Sequence, residues 1–216
     1  MTRKIFWEDP YLTQIETRIT SVKDNDITVE QTIFYALCGG QESDHGTIGT
    51  NRVLQARKEG KEIVYTLERG HCLKPGDQVR MNIDWERRYK LMRLHFAAEI
   101  VLELVYQHWG SVKKIGAHIT QDKARIDLEW GENISKVLPV IEKEALGIIK
   151  SNQEIVSAFS DEEAEKRYWK IREFSQVPCG GTHLRKTDEI GEIELKRKNI
   201  GKGKQRIEIY LSENSI

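Results

Sequence analysis

Cys179-Gly180-Gly181-Thr182-His183, directly after Pro178, is the stretch around which the chain is organised. A thiol and an imidazole stand four residues apart on one loop. Two glycines between them let the backbone turn tightly and come close to whatever is bound. A thiolate and a neutral imidazole on such a loop suit a borderline-soft metal ion such as zinc. Two donors do not complete a site, so further ligands must come from another element.

That element is a long helix upstream. Asp84 is a suitable N-cap for Trp85–Tyr106, in which Leu91, Leu94, Ala98, Val101, Leu102 and Val105 recur at helical spacing and define one inward face. His95 and Glu99 are four residues apart and share a direction beside that face. His95, Glu99, Cys179 and His183 together make a tetrahedral donor set. Plainer readings exist for each member. A histidine beside an apolar face can simply be packed, a glutamate one turn on can be solvated, and a cysteine in Pro-Cys-Gly-Gly can be structural. Spacing alone leaves both readings open.

Ahead of the helix, residues 11–83 read as short strands and turns: Ile15–Thr20, Ile27–Val29, Gln31–Tyr35, Lys61–Leu67 and Gln78–Ile83, with Asp24-Asn25-Asp26 and Pro75-Gly76-Asp77 as turn signals. Several strands at short spacing predict a small β-barrel ending near residue 84. The glycine-rich loop Cys38–Gly49 has neither the spacing nor the following helix of a nucleotide-binding fingerprint.

Behind the helix, Ala124–Glu129 alternates as a strand, and Asn133 caps a helix carrying Val137, Val140, Ile141, Leu146 and Ile149, with Pro139 in its first turns. Ser160-Asp161-Glu162-Glu163 has capping-box spacing and predicts a short helix through about Lys170. Glu189–Leu211 reads as a hairpin. Lys196, Arg197, Lys198, Lys202, Lys204 and Arg206 cluster about its turn, a composition that suits phosphate contacts and equally suits a lysine-defended edge.

Composition narrows the function classes. Thirty-four basic and thirty-four acidic residues balance to a net charge of zero, so no global field advertises a nucleic-acid partner. Three cysteines without a secretory leader predict a reduced, cytoplasmic setting rather than a disulfide framework. No apolar run reaches the roughly 18 to 20 residues of a membrane helix.

Taken in order, the motifs resemble those of the freestanding alanyl-tRNA editing proteins, the AlaX group in its medium-length form, and the editing domain of alanyl-tRNA synthetase. They are Phe34-Tyr35 with Gly39-Gly40-Gln41 and Asp44-x-Gly46; Asp84-Trp85-x-Arg87-Arg88 leading to Met92-Arg93-x-His95; Asp122-Lys123-x-Arg125-x-Asp127; Cys179–His183; and Gly191-Glu192-Ile193 with Asn199–Gly203. The resemblance covers nearly the whole chain. It departs at Glu99, where the family has histidine, and at Ala36-Leu37-Cys38, which replaces a proline-containing, glycine-ending run.

The resemblance implies an α+β fold, with a small amino-terminal β-barrel over residues 1–84. An α/β two-layer editing domain with antiparallel sheet follows over 85–216, like the second additional domain of threonyl- and alanyl-tRNA synthetases. It implies a trans-editing hydrolase that cleaves serine, and in some members glycine, from tRNA for alanine. His95, Glu99, Cys179 and His183 would then hold one zinc ion, with His95 and Glu99 catalytic. Thr32 and Gln41 would read the serine hydroxyl, Gly180 and Gly181 would face the terminal adenosine, and the basic hairpin would grip the acceptor stem. The protein would act as a monomer or homodimer with no membrane partner. The Glu99 departure motivates a second reading, a catalytically impaired homologue that binds RNA or a partner. A purely structural metal site is a third.

Overall fold

The computed structural model describes residues 1–110, 112–201 and 203–212. It is an α+β chain that divides into two compact units. One comprises Met1–Cys38 with Glu42–Tyr89, the other Gly39–Gln41 with the chain from Lys90.

The first unit contains strands β1 (Arg3–Lys4), β2 (Gln14–Lys23), β3 (Asp26–Val29), β4 (Gln31–Thr32), β5 (Gly46–Ile48), β6 (Asn51–Glu59), β7 (Glu62–Leu67) and β8 (Gln78–Ile83). β2, β3, β7, β6, β5 and β8 pair in that order and β8 returns to β2, closing a barrel. Alternation is what fills it: Ile27, Val29, Ile63, Tyr65 and Met81 turn inward and are buried. β1 and β4 form a separate parallel pair.

Helix α1 spans Trp85–Trp109. Asp84 caps it as expected, its Oδ1 accepting from the Arg87 amide at 3.1 Å. The division between the units falls inside this helix, between Tyr89 and Lys90, rather than ahead of Trp85. Its first turn is tied to the first unit by arginines. Arg87 donates to Glu42 and Ser43, while Arg88, wholly buried, donates to both oxygens of Asp44 and to the Pro10 and Ile33 carbonyls. Asp44 also accepts from the Tyr35 amide at 2.6 Å. Gly39–Gln41 join the second unit because Ile119 donates its amide to Gly40 and pairs with Gln41. Beyond the expected apolar stripe, Met92, Phe96, Ala97 and Ile100 of α1 are buried too. The helix is therefore covered on more than one face, which a single-stripe pattern does not convey.

In the second unit β9 (Lys114–Ile119), β10 (Ala124–Glu129), β14 (Ile193–Asn199) and β15 (Lys204–Leu211) form an antiparallel sheet in the order β14-β15-β10-β9. Helix α2 (Leu138–Lys150) packs along β14, and its Glu142 accepts from the Leu195 amide. Asn133 caps a 3-10 turn at Ile134–Lys136 rather than α2 itself, which starts with Pro139 in its first turn.

The helix expected after Ser160 is absent. Val156–Asp161 is a strand (β11), Lys166–Ile171 another (β12), and with Ser175–Pro178 (β13) they form a three-stranded antiparallel sheet. The Asp161 carboxylate does accept from the Ala164 amide, but it caps a turn, and Glu165 closes that turn at φ 54°. Alternating burial decided the outcome: Arg167, Trp169 and Ile171 are buried, each preceded by the less buried Lys166, Tyr168 and Lys170, a period of two that a helix cannot satisfy.

Candidate metal centre

The centre lies within the second unit. α1 contributes His95, and the loop after β13 contributes Cys179 and His183. One donor atom from each lies within 4.8 Å of the others. His95 Nε2 is 3.2 Å from Cys179 Sγ, and His183 Nε2 is 3.3 Å from the same sulfur. Both imidazoles are buried.

Each ring is anchored by its other nitrogen. Gln41 Oε1 accepts from His95 Nδ1 at 2.6 Å while Gln41 Nε2 donates to Thr182 Oγ1 at 2.9 Å. His183 Nδ1 lies 2.8 Å from Ser157 Oγ. An acceptor at Nδ1 leaves Nε2 as the ligating atom, the arrangement by which outer partners orient metal-binding histidines. One thiolate and two imidazoles so held fit zinc chemically.

Glu99 stands beside this cluster. Its Oε1 is 3.4 Å from His95 Nε2 and 3.7 Å from Cys179 Sγ, and its Oε2 accepts from the Trp169 indole at 3.0 Å. The three-donor cluster is defined without it. Burial opposes charge on His95, but the facing Cys179 and Glu99 outweigh it and hold the imidazole up at about 10. Burial likewise pushes the Glu99 carboxyl up, yet the hydrogen bond and charge of His95, with the indole N–H, hold it at about 2. His183 moves well below its ordinary value, through burial first and the charge of His95 second.

The two loop glycines have different reasons. Gly181 is buried against His95: a Cβ there would lie 2.2 Å from the ring Cε1. It is therefore required for packing. Gly180 is exposed, and a Cβ there would meet nothing within 4 Å.

Gln41 and Thr32, expected to read a substrate hydroxyl, are wholly buried. Gln41 is engaged with His95 and Thr182 as described. Thr32 belongs to the first unit, where its hydroxyl lies 2.5 Å from Tyr65 Oη and accepts from the Phe34 amide.

Several cations of the basic hairpin have partners of their own. Arg206 makes two bonds to Asp127, Arg197 donates to Gln205, and Lys196 lies between Glu194 and the Tyr210 ring. Lys198 and Lys204 are exposed. Lys202 lies outside the described residues.

Sequence reasoning missed Ser157, Trp169 and Arg167. Arg167 is buried, with its carbonyl accepting from the Cys179 amide at 2.9 Å and its guanidinium over the Phe159 ring. All three sit on β11 and β12, and only alternation along Lys166–Ile171 could have signalled the inward pair Arg167 and Trp169.

Two family models match the chain. Residues 167–208 match the threonyl and alanyl tRNA synthetase second additional domain, and residues 8–87 match class II (A) tRNA synthetases. The chain is 36% identical to the alanyl-tRNA editing protein AlaX-M of Pyrococcus horikoshii, with 98% of each chain covered. It is 30% identical to AlaX-M of Saccharolobus solfataricus over 96% of this chain and 98% of that one. It is 32% identical to the alanine–tRNA ligase of Pyrococcus abyssi over all of this chain but only 26% of the ligase. Among the described residues no helix is long and apolar enough to cross a membrane. With matches at this identity running the length of both partners, the chain belongs to the AlaX-M family of alanyl-tRNA editing proteins.

Proposed function

We propose that the chain is a trans-editing hydrolase that removes serine, and secondarily glycine, from mischarged tRNA for alanine. The observation that carries this is the His95–Cys179–His183 cluster, held from behind by Gln41 and Ser157, in a chain similar to AlaX-M proteins along their whole length. His95, Cys179 and His183 would hold one zinc ion. When bound, zinc supplies a Lewis acid beside the scissile ester.

The remaining work falls to the chain's own groups. The ester is already activated, so the main needs are a positioned water and a stabilised oxyanion. Glu99 Oε1 faces the cluster and, as a carboxylate, is assigned to orient the attacking water by accepting its hydrogen bond. The water oxygen bonds to the acyl carbon, the bond to the ribose oxygen breaks, and that oxygen takes up a proton. Gly180, exposed on the loop between Cys179 and His183, is assigned to contact with the terminal adenosine. Arg167, buried on the strand bonded to Cys179, adds positive charge near the site.

A polar partner for the extra hydroxyl distinguishes serine from alanine far better than a size filter. Gln41 is assigned to it. Gln41 acts through its bonds to His95 and Thr182 rather than as a free donor. Exposed Lys198 and Lys204 are assigned to acceptor-stem phosphates. A cluster that is complete without Glu99 supports the active reading over a non-catalytic RNA-binding homologue.

The test is release of serine, glycine and alanine from correspondingly charged tRNA for alanine, with and without chelator. Serine release with alanine spared, abolished by chelator and restored by zinc, is expected. No release at micromolar protein overturns the proposal.

A further inference from the structure

We propose that Trp169 is the positioning residue for Glu99: its indole N–H fixes the carboxylate with one oxygen turned toward His95 and Cys179, and so selects a carboxylate over an imidazole at that place. The proposal rests on reading the cluster as a zinc centre.

Trp169 is wholly buried on β12. Its ring is clamped edge-on by Phe96 at 5.2 Å between centroids and stacked on Phe174 at 6.3 Å, so the direction of its N–H is set by packing. An indole has one polar atom, and that atom only donates. A buried donor needs an acceptor, and Glu99 Oε2, 3.0 Å away, provides it.

The consequence lies in counting lone pairs. A carboxylate has two oxygens, so one satisfies the indole while Oε1 remains directed at His95 Nε2 and Cys179 Sγ. A neutral imidazole has one lone pair and one N–H. Opposite Trp169 the indole would take the lone pair and turn the N–H toward His95 and Cys179, where it cannot ligate. A histidine at position 99 therefore becomes a useful donor only once the indole N–H is removed.

The test measures zinc affinity by competition with a chromophoric chelator for the wild type, E99H, W169F and E99H/W169F, each checked for a cooperative thermal melt. E99H is expected to bind zinc no more tightly than the wild type. E99H/W169F is expected to bind at least about tenfold more tightly than E99H, and W169F alone to bind zinc as the wild type does, because the three-donor cluster does not include Glu99. A double variant no tighter than E99H, or E99H alone as tight as the double, overturns the proposal. If W169F does not fold, 3-benzothienylalanine at position 169 keeps the ring shape without the N–H, with the same expected ranking. A wild type that binds zinc but releases no serine overturns the editing reading and leaves this comparison standing. A wild type that binds no zinc overturns both.

Discussion

Gly181 packs directly on the imidazole of His95, close enough that a side chain at 181 would occupy the space of the ring. The loop that carries two of the candidate ligands thus needs a glycine for the third. Gly181→Ala is expected to displace His95 and weaken zinc binding by at least about tenfold, with an overpacking cost of about 1–3 kcal/mol. Gly180→Ala, which meets no neighbour, is expected to leave zinc affinity unchanged. Chelator competition on the two variants, beside a denaturant melt, checks the contrast.

Ser157 holds His183 as Gln41 holds His95. Ser157→Ala is expected to lower zinc affinity about 10- to 100-fold while the melting temperature of the chelated protein stays near that of the wild type. Equal zinc affinities would remove Ser157 from the centre.

Breaking the Arg88–Asp44 pair is expected to destabilise the first unit strongly, because both side chains are fully buried. Asp44→Ala leaves the Arg88 guanidinium without its carboxylate and the Tyr35 amide without its acceptor. A loss of about 3–5 kcal/mol in urea unfolding is expected, as for other broken buried pairs.

Asp26 gives the barrel an acid-sensitive contact. Hydrogen bonds from Arg57 first and Thr66 second hold its carboxyl below the ordinary value. A depressed folded value means the contribution is present above the unfolded value, about 3.9, and is lost as pH falls through the folded one. Asp26→Asn is therefore expected to flatten the fall in melting temperature below about pH 4. An unchanged acid limb would show that other carboxylates set it.

On the hairpin, exposed Lys198 and Lys204 should behave differently from Arg206. Alanine at either lysine is expected to reduce the salt dependence of tRNA binding by about one unit of slope without affecting stability. Arg206→Ala breaks two bonds to Asp127 and is expected to cost about 2 kcal/mol of stability. Filter binding across a salt series, with melts of the same proteins, separates the two classes.

The local signals in the chain were those whose physics is local. A capping aspartate, a 3.6-residue period and the four-residue interval of His95 and Glu99 need only one helix. A glycine pair between a cysteine and a histidine needs only one turn. Alternating strands between turn signals predicted β-structure in the first unit, and the hairpin after Gly191 formed as its pattern predicts. Ser160–Glu163 was misread because Asp161 within it does cap, though only a turn, while the Ser160 hydroxyl donates to the Lys166 carbonyl. The competing strand period lay in the next segment and was enforced by pairing with β13.

Tertiary structure alone decided which groups share the centre and in what role. Spacing placed His95 and Glu99 on one helical face as equals. Folding brought Cys179 and His183 to His95 as a three-donor cluster and set Glu99 Oε1 beside it, with the other oxygen held by an indole seventy residues away in the chain. Likewise Gln41 and Ser157 came to the backs of the two imidazoles from a loop and a strand with no sequence relation to them. Periodicity encodes direction within one element. The partner of a buried donor or acceptor is set by which other element arrives opposite it, and that depends on how the whole core packs.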